Sequence, residues 1–287
     1  MPTVALVLGS GGARGNAHIG VIQVLQEQGF DIVSISGCSM GAAVGGMFAA
    51  GKLDEFSEWM TGLSRFDVLR LVDMSLLSMG IVRGEKVFSK LHDMVGDVLI
   101  EELPIRYTAV ATDLVKQQEV WFQSGILMDA IRASVAVPGL IMPVRDEHRF
   151  LVDGGLLNPV PISPTVADQA DLILAVNLNA QTHHRRSVQR PDLNRDGTSD
   201  HWVYPEAGDV PKLVGNHLKW NKVDMIDRCF ETMQATLAKY KSAGYDADVE
   251  INIDSSSCGS QEFFRAQELI KVGRTATLQA LQFESLV

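Results

Sequence analysis

The sequence IVSISGCSMGAAVGGMFAAG occupies residues 32–51 and has a GxSxG motif near its centre. The short apolar run Ile32–Ser36 predicts a buried strand, and Met40–Ala50 predicts a helix that ends at Gly51. The motif therefore lies where a strand turns into a helix. In a chain whose strands and helices alternate, this arrangement predicts an α/β fold with a mostly parallel sheet covered on both faces.

Ser39 and its neighbours fit the requirements of a nucleophile elbow. A sharp strand-to-helix turn crowds the backbone, so the flanking positions must lack side chains, and Gly37 and Gly41 occupy them. The hydroxyl is then presented at a helix N-terminus, where amide groups favour negative charge. Because GxSxG is a weak motif by itself, an ordinary turn with an incidental serine is a second interpretation until other motifs are considered.

A glycine-rich loop, Gly9–Gly15, lies between the predicted strand Val4–Leu8 and the predicted helix Asn16–Gln28. Consecutive glycines let backbone amides converge on one point, as in a phosphate cradle or an oxyanion hole. A dinucleotide fingerprint would need glycine in place of Arg14, and a P-loop would need a lysine that the loop lacks. Since neighbouring parallel strands end at one edge of a sheet, the loop should meet the Ser39 elbow, which favours an oxyanion hole with Arg14 as its anchor.

The other predicted elements continue the alternation over the first 180 residues. Further strands are predicted at Tyr107–Thr112, Phe150–Val152, Leu172–Asn177 and Asp248–Ile253, and further helices at Leu53–Leu63, Glu85–Val95, Ile126–Ala136, Lys212–Ala243 and Gln261–Phe283. No shift in composition demands a second domain, so we expect a single domain over residues 1–287. It comprises a motif core at 4–180, a polar insertion at about 180–211 and a C-terminal helical region at about 212–287.

The composition is that of an ordinary globular protein, with 46% hydrophobic and 21% charged residues. The net charge of −10 argues against a nucleic-acid partner and predicts that any transient membrane contact is apolar and local.

Cys38, Cys229 and Cys258 are scattered without CxxC spacing, which argues against a disulfide framework or a structural zinc site. The N-terminus lacks the regions of a signal peptide, so we expect a cytoplasmic protein, at most peripheral to the membrane.

A serine nucleophile needs a base, and Asp153 is the favoured candidate. None of the seven histidines directly follows a late predicted strand with a suitable acidic partner, which argues against a histidine triad. Asp153 follows the predicted strand Phe150–Val152 on a tight Asp-Gly-Gly turn, which aims it at the same edge as Ser39. A free aspartate is a weak base, so the hypothesis predicts that burial raises its pKa.

A separate hypothesis concerns a metal ion in the polar insertion. Oxygen-bearing side chains at Asp192, Asn194, Asp196 and Asp200 copy the first half of a calcium loop. Val203 occupies the position of the final glutamate, so a plain turn is the alternative to a structural Ca²⁺ site. The chemistry predicted at Ser39 and Asp153 requires no metal or other cofactor.

Together, the motifs resemble those of the patatin-like phospholipase family, specifically its short bacterial members. The resemblance covers roughly residues 4–180. The matching segments are Gly-Gly-Ala-Arg-Gly at 11–15, Gly-Cys-Ser-Met-Gly at 37–41, Asp-Gly-Gly at 153–155, and the blocks at 132–139 and 158–161. Ser10 departs from the family pattern, since many members have a glycine at that position.

The resemblance implies a three-layer α/β/α fold and a carboxylic ester hydrolase. Ser39 would be the nucleophile and Asp153 the base, while Gly11, Gly12 and Ala13 would line the oxyanion hole. The implied substrate is a phospholipid, a lysophospholipid or another lipid acyl ester. A thioesterase or small-ester carboxylesterase with the same dyad, and a non-catalytic regulatory protein on the same fold, are the alternatives. The head group, the acyl chain length and the oligomeric state stay open.

Overall fold

Eight strands form one mixed sheet within the part of the chain that the structure describes. The structure is a computed structural model, and it describes residues 1–71, 84–145, 148–180 and 222–286. The predicted polar insertion beyond residue 180, with its calcium-loop residues, lies outside this part. The first ten residues of the helix predicted at Lys212–Ala243 also lie outside it.

The strands follow the alternation that the sequence predicts, with additions at one side of the sheet. They are β1 (Thr3–Leu8), β2 (Asp31–Cys38), β3 (Arg106–Asp113), β4 (Gln118–Phe122), β5 (Val144–Arg145), β6 (Phe150–Asp153), β7 (Leu172–Ala180) and β8 (Val249–Asp254). The order is β5-β6-β3-β2-β1-β7-β8, and β4 also pairs with β3. The five strands from β3 to β8 in this order are mutually parallel, so β1 and β2 end at the same edge of the sheet.

The strand β6 enters the sheet in line with β2. β3 pairs with β2 through residues 106–110 and with β4 through residues 109–113, so β2 and β4 lie on opposite edges of β3. β6 pairs with residues 111–113, on the edge that β2 leaves free, and it runs antiparallel to β3. The carboxyl ends of β2 and β6 therefore approach each other head-on.

The helices cover the sheet on both faces. They are α1 (Ala17–Glu27), α2 (Met40–Ala49), α3 (Leu53–Gly62), α4 (Arg65–Leu71), α5 (Glu85–Val95), α6 (Leu127–Ser134), α7 (Lys222–Gly244) and α8 (Ala266–Phe283). On one face, Leu6 and Leu8 pack into a large buried cluster with residues of α1, α2 and α8. On the other, Val7 and Ala175 pack with Val160, Ile162 and Ala238 of α7. The α/β fold with a mostly parallel sheet is thus confirmed.

Sequence patterns missed three short elements and the direction of a fourth. β4, which pairs with β3, β5, which pairs with β6, and the helix α4 were not predicted, and β6 was expected from its sequence but not its antiparallel direction. β4 carries the sequence QEVWF, whose partly exposed, mixed side chains give no strong periodic signal. Among the described helices, none combines the length and the apolar character needed to span a membrane.

Candidate active site

The turn between β2 and α2 holds Ser39 in a strained backbone conformation. Ser39 has φ 55° and ψ −125°, which side-chain-bearing residues rarely adopt, and its side chain is buried. A Cβ atom on Gly37 would lie 2.6 Å from the Ala42 nitrogen, and one on Gly41 would lie 2.0 Å from the Leu8 carbonyl oxygen. The turn therefore requires both glycines, as expected for a nucleophile elbow.

Ser134, the last residue of α6, supports this turn through hydrogen bonds of its side chain. Its hydroxyl accepts a hydrogen bond from the Ser39 amide at 2.9 Å and donates one to the Val110 carbonyl at 2.7 Å. The side chain is fully buried, so the two hydrogen bonds satisfy a group that water does not reach. Ser134 thereby links the elbow to β3.

The sheet register brings Asp153 beside the elbow. Cys38, the last residue of β2, lies opposite Val110, while Asp153, the last residue of β6, lies opposite Ala111. Ser39 and Asp153 are thus placed at adjacent positions along one edge of β3. A Cβ atom on Gly154 would lie 2.2 Å from the Val110 carbonyl oxygen, so only glycine allows this close approach.

Asp153 is completely buried, and burial raises the pKa of its carboxyl to about 6. The Ser39 hydroxyl, the Gly155 amide at 2.7 Å and the Cys38 thiol at 3.8 Å act in the opposite direction. Asp153 Oδ2 has no hydrogen-bond partner within the described residues, so the Ser39 hydroxyl lies near the carboxyl without a fully formed hydrogen bond. Such contacts in an unliganded site commonly shorten when a substrate binds. Because its pKa is raised, the Asp153 carboxyl is a stronger base than a free aspartate.

The glycine loop packs directly against the elbow. Gly12 has φ 56°, and a Cβ atom there would lie 2.5 Å from the Ser260 carbonyl oxygen. The Ala13 amide donates to that same carbonyl at 2.7 Å. The Ala13 amide is therefore engaged in closing the loop, whereas the sequence analysis expected Ala13 to line an oxyanion hole. Within the described residues, the amides of Gly11 and Gly12 are shown with no hydrogen-bond acceptor.

Arg14 joins the loop to distant parts of the chain. Its buried guanidinium pairs with Glu231 at 2.9 Å and donates to the carbonyls of Ser255 at 3.0 Å and Cys258 at 3.1 Å. It also donates to the Asn179 side chain at 3.2 Å. These partners come from α7, the end of β7 and the turn after β8, so Arg14 links the glycine loop to three other segments of the chain.

The described part of the chain offers no metal site, and no histidine is among the groups that shift the pKa of Asp153. No group of three or more His, Cys, Asp or Glu side chains suited to a metal ion occurs within it. His18 is buried, its Nε2 contacts the Gly9 carbonyl at 2.8 Å, and burial lowers its pKa to about 4. Its role is to support the glycine loop.

Several residues of the site carry no motif that would have revealed them. Ser10, Asn179 and Gln234 form a buried polar network around the loop, and Ser134 holds the elbow. Ser134 falls in a block that the family resemblance includes, but neither spacing nor residue type indicated its hydrogen bonds. Gln234 lies within a helix predicted only from its periodicity.

The geometry defines a class of protein before any relative is considered: an α/β protein with a serine elbow, a buried aspartate and a glycine-rich loop at one site. The patatin-like phospholipase family model matches residues 6–166, which is more than half of the chain. The chain belongs to the patatin-like phospholipase family.

Individual relatives agree with this assignment. An uncharacterized NTE family protein of Mycobacterium tuberculosis (strain ATCC 25618 / H37Rv) is 42% identical, over 98% of this chain and 92% of that protein. A lysophospholipase of Emericella nidulans is 30% identical, over 62% of this chain and 12% of that protein. Among solved structures, VipD from Legionella pneumophila superposes with a TM-score of 0.55 over 98% of this chain and 66% of that one. At 15% identity it shows the shared fold alone.

Proposed function

We propose that the protein is a serine acyl hydrolase that cleaves lipid acyl esters through a Ser39–Asp153 dyad. The observation that carries the proposal is the meeting of a strained elbow serine with a fully buried carboxyl whose pKa is raised to about 6. At neutral pH this carboxyl is ionised and can accept a proton, and it is a better base than an exposed aspartate. Membership of the patatin-like phospholipase family supports the lipid substrate class.

In the proposed reaction, Ser39 Oγ attacks the ester carbonyl while Asp153 takes the hydroxyl proton. The carbonyl oxygen becomes an oxyanion, which the amides of Gly11 and Gly12 stabilise by hydrogen bonds. Collapse of this intermediate breaks the ester bond, and the leaving alcohol takes the proton from Asp153. An acyl-enzyme is left on Ser39.

The second half of the reaction repeats these steps with water. Asp153 takes a proton from the water, whose oxygen attacks the acyl carbonyl. The second tetrahedral intermediate then expels Ser39 Oγ, which regains the proton from Asp153. The fatty acid leaves, and the dyad returns to its starting state without any metal or redox partner.

Lysophospholipids are the first substrates to test, since one relative is named a lysophospholipase. Purified wild type should release fatty acid from lysophospholipid and p-nitrophenol from p-nitrophenyl esters, and Ser39→Ala should release neither. A fluorophosphonate probe should label the wild type at Ser39. Equal hydrolysis by wild type and Ser39→Ala would exclude the proposed nucleophile. A comparison of phospholipids, lysophospholipids and acyl thioesters separates a lipase from a thioesterase.

A further inference from the structure

The helix α7 turns polar side chains toward the glycine loop and toward other segments around the candidate site. Four of them recur at the helical spacing i, i+4, i+7 and i+14 and so share one face of the helix. Each has a partner from elsewhere in the chain: Asp227 with Ser260 at 2.5 Å, Glu231 with Arg14 at 2.9 Å, Gln234 with Ser10 at 2.9 Å and Lys241 with Glu119 at 2.7 Å. The family match ends at residue 166, so α7 lies outside the segment that contains the shared motifs.

Gln234 contacts both catalytic loops with one carboxamide group. Its side chain is buried, and its Nε2 donates to the Ser10 hydroxyl of the glycine loop. A Cβ atom on Gly155 would lie only 2.1 Å from the same nitrogen, so the carboxamide packs directly on the turn after Asp153. The Gly155 amide in turn donates to Asp153 Oδ1. The Gln234 side chain is therefore wedged between the glycine loop and the turn that orients the base.

Ser10 is the matching half of this contact. The resemblance places a glycine here in many family members, and a glycine would offer Gln234 no hydroxyl. The Ser10 backbone is fixed on both sides, since its amide donates to the Pro159 carbonyl at 2.8 Å and its carbonyl accepts from Asn179 at 2.9 Å. The Ser10 hydroxyl thus extends a firmly held loop toward α7.

We propose that Gln234 is a positioning residue that, through the Ser10 hydroxyl, fixes the glycine loop relative to Asp153. This inference rests on the proposed function, because it assigns the spacing between the oxyanion donors and the base to a residue of α7. Gln234 acts on Ser10 and Gly155 rather than on the substrate. Its loss should therefore lower kcat and leave KM unchanged.

The test compares Ser10→Gly, Gln234→Leu and the double variant with the wild type. Hydrolysis of a p-nitrophenyl ester is measured per active serine, with the active sites titrated by a fluorophosphonate. We expect each single variant to lower kcat by roughly tenfold, because small displacements of catalytic groups have effects of this order or larger. Since both variants break the same hydrogen bond, the double variant should be no slower than the slower single variant. Gln26→Leu, the same change at an exposed position of α1, is the matched control and should behave as wild type.

The outcomes separate this inference from the proposed function. If wild type is active, Ser39→Ala is inactive and Gln234→Leu keeps the wild-type kcat per titrated serine, the positioning role is wrong and the proposed function stands. The positioning role is also wrong if Gln234→Leu only reduces the fraction of folded protein. The rate per titrated serine then equals that of wild type, because the titration counts only active sites. Multiplied rather than shared losses in the double variant would also overturn the pairing of Ser10 with Gln234. Inactivity of the wild type toward every ester would instead overturn the proposed function itself.

Discussion

The hydroxyl oxygen of Ser134 lies 2.9 Å from the amide nitrogen of Ser39. This hydrogen bond satisfies the backbone of a residue held at φ 55°. The energy of such a conformation is of order 1–3 kcal/mol above that of a relaxed residue, so surrounding contacts must maintain it. Ser134 is one of those contacts, and its removal tests how far the elbow depends on it.

Replacing Ser134 by alanine should impair both stability and activity. The variant leaves the buried Ser39 amide without its acceptor, which should lower the free energy of unfolding by about 1–3 kcal/mol. The relaxed elbow should also lower kcat for ester hydrolysis. Urea unfolding and steady-state kinetics measure the two effects, with Ser124→Ala at an exposed position as the control. A Ser134→Ala protein that matches this control in both assays would contradict the role given to the hydroxyl.

The activity should have an acidic limb with a midpoint near pH 6. Asp153 must be ionised to accept the Ser39 proton, and burial raises its pKa to about 6, so protonation removes the base below that pH. The profile of kcat/KM between pH 4 and 8 measures this limb for the free enzyme. A flat profile across this range, in a protein that stays folded, would rule out Asp153 as the base.

Asp153→Asn should abolish hydrolysis but stabilise the fold above pH 6. A carboxyl whose pKa is 3.8 when unfolded and about 6 when folded binds its proton more tightly in the folded state. Its buried charge therefore lowers the free energy of unfolding above pH 6, and the loss is recovered as the pH falls from 6 toward 3.8.

At pH 8 the asparagine variant should gain stability on the order of 3 kcal/mol over wild type, and the gain should shrink toward pH 4. Asparagine can still accept the Gly155 amide, so the turn keeps its hydrogen bond. Urea unfolding of both proteins at the two pH values measures the difference. A variant less stable than wild type at pH 8 would contradict the expectation that the buried Asp153 charge lowers the free energy of unfolding.

Cys38→Ser should move the acidic limb to lower pH. The Cys38 thiol lies 3.8 Å from Asp153 Oδ1, and burial raises its own pKa, so it stays protonated as a weak donor. A serine hydroxyl is a stronger donor and should favour the ionised carboxylate. The pH profile of the variant should shift downward relative to that of Cys229→Ser, an exposed control. An upward shift would contradict the assignment of the thiol as a donor.

Arg14→Met should destabilise the protein far more than Arg106→Met. Arg14 is buried, and its removal leaves Glu231 with only the exposed Arg228 as a cation and two carbonyls without donors, so we expect a loss on the order of 3 kcal/mol. Arg106 forms an exposed pair with Asp168, and exposed pairs contribute at most about 1 kcal/mol. Thermal and urea unfolding of the two variants compare these losses, and equal losses would contradict the anchoring role.

The sequence predicts the parts of the fold that depend on local patterns. The strand before Ser39 and the helix after it follow from an apolar run and from glycine spacing, and the structure confirms both. Asp153 could be proposed as the base because an Asp-Gly-Gly turn after a strand is a local signal. The burial expected to raise the pKa of Asp153 is found as well.

The remaining features depend on contacts between distant residues. The direction of β6 is set by its pairing with residues 111–113 of β3, which its own four residues do not encode. Ala13 was expected to donate to an oxyanion, but its amide is engaged by Ser260, a partner from the far end of the chain. Gln234 gave no signal either, because a polar residue in a helical pattern resembles a solvent-facing position, and nothing in the sequence marks it as buried.

The anchoring of Arg14 has a consequence for synthesis of the protein on the ribosome. The guanidinium joins residues separated by 217, 241 and 244 positions along the chain. A nascent chain from which Ser39 and Asp153 have already emerged still lacks Glu231, Ser255 and Cys258, so its glycine loop lacks the contacts that anchor Arg14. The proposed hydrolytic activity should consequently arise only after the chain has emerged as far as Cys258.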